Sequence, residues 1–137
     1  SRGLGDVYKR QAGYDWDSYV KYGRQRFLTA PLMKWMFGKY VSDPAQRGND
    51  LMSPVRASAE RLRGLPATLI VVAENDILRD EGEAMGRRLD EAGVEVTTVR
   101  FNGVVHDWGM LNGFAALHPT RTLIRLVGSV LRDYLEK

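Results

Sequence analysis

The sequence predicts an α/β chain with parallel strand pairing, on three observations. Residues 67–73, ATLIVVA, form a continuous apolar run of strand length, the pattern of a strand buried on both faces of a sheet. Residues 94–101, VEVTTVRF, form a second run rich in β-branched residues. Between them lies RDEGEAMGRRLDEAG, in which Asp80, Glu81 and Glu83 precede Arg87 and Arg88, and Gly93 follows as a stop. That charge order suits the helix dipole, and Gly is the favoured residue just past a helix end. Strand, helix, strand in this order implies a crossover connection and parallel neighbours.

The remaining elements are taken in chain order. SRGLGDVYKRQ at 1–11 has no hydrophobic periodicity and resembles translated adapter or vector sequence, so it is read as a non-native leader and set aside. Residues 14–41 are rich in aromatics and methionine. Leu32, Trp35, Met36 and Tyr40 fall at helical spacing, with Thr29 placed as a cap and Pro31 in the first turn. Tyr14, Trp16 and Phe27 lie outside that stripe. Residues 42–66 read as loop, with turn clusters at SDPAQRGND and SP. The helix in RDEGEAMGRRLDEAG has a narrow stripe of Met85, Leu89 and Ala92, and NG at 102–103 reads as a turn. A last helix runs from Pro119 to about Glu136, with Leu123, Ile124, Val127, Val130, Leu131 and Tyr134 on its apolar face.

Two strands cannot sustain this arrangement alone, because ATLIVVA needs neighbours on both edges and helices on both faces. Either the N-terminal half holds strands that its pattern does not mark, or the chain is the C-terminal piece of a larger sheet; the second reading is favoured. Composition narrows the rest. Of the 137 residues, 44% are hydrophobic and 27% charged, an ordinary globular balance. No apolar run reaches the ~20 residues that span a bilayer, and no signal-peptide core stands at the N-terminus. The expected location is cytoplasmic. With no cysteine and two histidines, disulfides, thiolate chemistry and Cys- or His-rich metal sites are excluded, and no metal or cofactor is expected. The net charge is +3, but the leader carries +2 of it, leaving +1 on residues 12–137. Cations there are interspersed with acids, which argues against a nucleic-acid partner.

In open α/β sheets, ligands collect at the carboxyl ends of the strands. Asp76 sits three residues past the first expected strand and His106 five past the second. A carboxylate there can accept the Nδ1 proton of an imidazole while the other nitrogen takes a proton from a hydroxyl nucleophile. Each residue alone reads as something plainer: Asp76 as a turn or cap residue, His106 as a loop histidine. Asp80 reads as a first-turn acid, Asp107 as loop-structuring and pointing away, and His118 as an exposed helix-entry residue.

GLPATLIVVAENDILRDEGEAMGRRLDEAGVEVTTVRFNGVVHDWGML resembles the C-terminal third of the hormone-sensitive-lipase-like α/β-hydrolases, a group of carboxylesterases and lipases. The resemblance covers most of residues 51–137 and extends more weakly over SYVKYGRQRFLTAPLMKWMFGKYVSDP. It implies a C-terminal piece of a hydrolase sheet, two parallel strands with flanking helices, at 51–137, and part of a helical cap at 12–50. It implies that Asp76 is the acid and His106 the base of a Ser-Asp-His triad that cleaves small-molecule esters, and that a homodimer is a candidate state. Ile77 stands where the family usually has Pro, and Trp108 where Phe is common. The chain holds no GxSxG elbow and no HGGG segment, and its serines at 18, 42, 53, 58 and 129 lie in neither context. It is therefore expected to be inactive alone. The alternative is a non-catalytic, small-molecule-binding member of the same fold. Retention of His106 argues against that, since hormone-binding relatives have lost it. A receiver-like phosphoacceptor domain fits poorly, because it needs about five strands and a late Lys.

Overall fold

The computed structural model describes residues 16–24 and 26–136. Tyr14 and the leader at 1–11 lie outside the described residues. Two parallel strands, β1 (Thr68–Asn75) and β2 (Val96–Val105), pair in register from Thr68↔Val96 to Ala73↔Phe101. Ahead of them stand two helices, α1 (Asp17–Tyr22) and α2 (Ala30–Tyr40), and the short α3 (Ala59–Leu62). The crossover helix is α4 (Arg79–Glu91), and α5 (His118–Leu135) ends the chain. The α/β class and the two parallel strands with flanking helices are as the sequence predicts.

The twofold alternation of strand side chains divides β1 between two layers. Ile70 and Val72 point at α4: a Cβ added to Gly82 would lie 2.7 Å from Val72 Cγ1 and 3.9 Å from Ile70 Cγ2. Val71 and Ala73 point the other way, into a cluster of Val104, Trp108, Phe101 and Leu123 of α5. On the α4 side, Leu89 and Ala92 pack with Ala57, Leu62 and Val94. Glycine allows α4 to lie this close to the sheet; at Gly86 any Cβ would collide with Thr98.

Several expectations shift. Both strands run longer than the apolar pattern marks, to Asn75 and Val105, so Asn102–Gly103 is no turn but lies inside β2. Residues 42–66 are not all loop. They hold 3₁₀ turns at Pro44–Gly48 and Pro54–Arg56, and α3, whose first turn is capped by the Ser58 hydroxyl accepting from the Arg61 amide. Thr29 caps α2 as expected, accepting from the Leu32 amide. The stripe of Leu32, Trp35, Met36 and Tyr40 is left exposed, while Met33 packs inward against Tyr19, Tyr22, Leu28 and Ile77. On α5, Ile124 and Leu131 are more than half exposed. Among the described residues, β1 has no strand on its second edge, and no helix is long and apolar enough to cross a membrane.

Candidate active site

The carboxyl ends of β1 and β2 carry the two candidate residues, each directly after its strand. Asp76 follows Asn75. The next residue, Ile77, is fully buried in the cluster of Tyr19, Tyr22 and Leu28, which anchors the loop. The Leu78 amide donates to Asp76 Oδ1 at 2.9 Å, the self-bonded turn that aspartate favours.

On β2 the ladder is irregular: Ala73 faces Phe101, but Asn75 faces Val105. The extra residues bulge opposite Glu74, whose Oε2 accepts from the Gly103 amide at 2.7 Å. Gly103 has φ of 75°, a left-handed conformation that side chains resist. A bulge of this kind redirects the side chains just beyond it, and here it aims His106. Asp107 then takes φ of 58°, which aspartate tolerates better than most residues. Trp108 is buried, with its ring 5.4 Å from Phe101, and so fastens the loop to the sheet.

Parallel pairing brings the two loops together. His106 Nδ1 lies 2.8 Å from Asp76 Oδ2. Asp76 is 8% exposed, while a quarter of the His106 side chain remains open. A carboxylate only accepts, so Nδ1 carries the proton of this bond and Nε2 keeps its lone pair when the ring is neutral. The hydrogen bond to Asp76 raises the His106 pKa above its ordinary value. Burial opposes the rise, and the charges of Asp76 and Asp107 add to it. The arrangement can draw a proton from a hydroxyl at Nε2 and hold the resulting imidazolium against Asp76.

Asp107 structures its loop as expected but does not point away from His106. Its Oδ1 lies 3.5 Å from His106 Nε2, while its carbonyl organises the loop by accepting from the amides of Met110 and Leu111. Asp80 does meet a helix N-terminus, but that of α1: its Oδ2 accepts from the Ser18 amide at 2.7 Å and its Oδ1 from Arg79 Nε at 2.8 Å. Burial would raise the Asp80 carboxyl, but the Ser18 amide and Arg79 together hold it below its usual range. It makes no bond to His106. His118 opens α5, exposed as expected. Sequence reasoning missed Ser18, whose hydroxyl donates to the Ile77 carbonyl at 2.6 Å. It also missed Glu74 and Arg79, which brace the two loops. Among the described residues, no group of His, Asp and Glu is placed to hold a metal ion.

Comparison with known proteins identifies the family and the fold. A family model of the alpha/beta hydrolase fold matches residues 5–110, a span that holds both Asp76 and His106. An arylesterase of Saccharolobus solfataricus is 37% identical over 94 residues, covering 69% of this chain and 28% of that protein. The crystal structure of a thermostable esterase from Pseudomonas putida superposes with a TM-score of 0.82 at 43% identity, over 84% of this chain and 36% of that one. A hyperthermophilic esterase from Pyrobaculum calidifontis gives 0.80 at 34% identity, over 91% of this chain and 40% of its own. The chain spans about a third of the length of the curated relatives it matches. With the resemblance to hormone-sensitive-lipase-like carboxylesterases upheld by these similarities, the chain belongs to the α/β-hydrolase family.

Proposed function

We propose that this chain supplies the acid and the base of a Ser-Asp-His triad to a carboxylic ester hydrolase, whose nucleophile elbow and oxyanion hole lie on residues outside these 137. The observation that carries the reading is the bond from His106 Nδ1 to Asp76 Oδ2, 2.8 Å, at the carboxyl ends of two adjacent parallel strands. Among the described residues no strand pairs with the second edge of β1, and that open edge supports the view that the catalytic unit is larger.

In this reading a serine hydroxyl attacks the ester carbonyl and His106 Nε2 takes its proton. The imidazolium then returns that proton to the departing alcohol oxygen, leaving an acyl-serine. Water repeats the cycle, again giving its proton to Nε2, and the acid is released. Asp76 keeps the ring in the tautomer that presents a lone pair to the hydroxyl.

The full-length protein is expected to hydrolyse a short-chain nitrophenyl ester and to lose that activity when a serine-directed phosphonate labels it. The 137-residue chain alone is expected to give no hydrolysis above buffer. Hydrolysis that survives complete phosphonate treatment would refute the serine mechanism. A pH profile adds a second check. Because Asp76 raises the His106 pKa, the ring stays protonated, and useless as a base, up to a higher pH than an ordinary histidine. The acid limb of kcat/KM should therefore fall above the usual histidine range, and a limb at or below it would count against His106 as the base.

A further inference from the structure

Ser18 is fully buried, and its hydroxyl donates at 2.6 Å to the carbonyl of Ile77, 59 residues away in sequence. That carbonyl belongs to the same peptide unit as the Leu78 amide, which donates to Asp76 Oδ1 at 2.9 Å. A peptide unit is a rigid plane, so fixing its oxygen end fixes the direction of its N–H end. With Oδ1 held by that N–H, the carboxylate turns Oδ2 towards His106 Nδ1.

We propose that Ser18 is a positioning residue for Asp76, acting through the Ile77–Leu78 peptide. Its bond to the carbonyl oxygen sets the rotation of that plane and, through the Leu78 amide, the aim of the carboxylate at His106. Donation to the oxygen also polarises the amide and strengthens its N–H as a donor.

The helix that carries Ser18 is itself seated on the same loop. The Ser18 amide donates to Asp80 Oδ2. Arg79 donates to Tyr22 Oη of α1 and to the carbonyl of Glu74, both at 3.2 Å, while its Nε and Nη2 hold Asp80 Oδ1. Peptide carbonyls on both sides of Asp76, those of Glu74 and Ile77, are thus held. A six-residue helix that buries Ser18, Tyr19 and Tyr22 therefore bears on the geometry of a pair it does not touch.

In the full-length protein, Ser18→Ala is expected to lower the His106 pKa, followed by NMR titration of the ring protons, towards its value in Asp76→Asn. It is expected to lower kcat on a short-chain nitrophenyl ester by about tenfold, with KM within about twofold. In an Asp76→Asn background the same substitution should change neither quantity, because Ser18 acts through that carboxylate. Ser18→Cys keeps the volume and offers only a weak donor; it carries the same expectations and serves if the alanine variant does not fold. An unchanged His106 pKa in either folded variant overturns the proposal, as do equal kcat losses with and without Asp76. The kinetic arm rests on the esterase reading, but the titration does not. A protein without esterase activity whose His106 pKa still falls would sink that reading and support the positioning role.

Discussion

Asp76→Asn in the full-length protein is expected to lower kcat on a short-chain ester by about 10³- to 10⁴-fold, with KM within about threefold. The substitution keeps shape and volume but replaces an obligate acceptor with a group that also donates. An asparagine that turns its NH₂ towards His106 stabilises the tautomer with a bare Nδ1 and a protonated Nε2. That ring cannot take a proton from a hydroxyl. His106→Ala should cost a similar factor, and the double variant little more than either single one, because the two side chains act as a unit. Asp80→Asn is the control. Its carboxylate is four residues along the chain but bonds the Ser18 amide and Arg79, so its loss should cost less than about tenfold through the loop alone. Steady-state kinetics on the four variants decide the matter. A kcat for Asp76→Asn within tenfold of wild type, or an equal loss in Asp80→Asn, would remove Asp76 from the role.

Which of those two carboxylates meets His106 is legible in the sequence. Asp76 closes a buried apolar run, whereas Asp80 opens a charged helical segment. The apolar runs also mark both strands and their parallel order. What stays hidden is long-range. Asn102–Gly103 looks like a turn because that dipeptide favours positive φ, and Gly103 does adopt it. Yet the strand continues, because Glu74 of the neighbouring strand takes the freed amide. No local pattern encodes that bond, and it is why His106 directly follows its strand rather than trailing five residues behind. Helix α1 is six residues long, too short to show a 3.6-residue period. In the sequence Ser18 is one of several serines outside any motif; only folding sets it beside Ile77. The spacing of Leu32, Trp35, Met36 and Tyr40 marks α2 as a helix, but it does not tell that the stripe stays exposed, with Lys39 lying over the Trp35 ring.

Leu89→Ala is expected to destabilise the full-length protein by about 4 kcal/mol, towards the upper end of the roughly 2–5 kcal/mol seen for buried leucines. Leu89 is 2% exposed and packs with Ala57, Leu62, Ala92 and Val94. The cost of truncation depends on whether the surroundings can close on the void, and here they are held apart. Gly82 and Gly86 lie about two turns and one turn before Leu89, respectively, on the same face of α4. At both, the helix already approaches the sheet so closely that a Cβ would meet Val72 or Thr98. Arg88 also binds the Ala57 carbonyl, tying α4 to the segment that covers it. A helix already in contact cannot sink further, so the cavity should persist. Urea unfolding with an unchanged m-value measures the loss, and a value below about 1.5 kcal/mol would mean that α4 moves after all. The same pinning makes a second, separable claim. Because α4 begins at Arg79, beside the Asp76 loop, a helix that shifted would drag the Leu78 amide away from Asp76 Oδ1. A pinned one would not. Folded Leu89→Ala protein should therefore hydrolyse ester with kcat within about twofold of wild type, and a stability loss accompanied by a large fall in kcat would show that helix and loop move together.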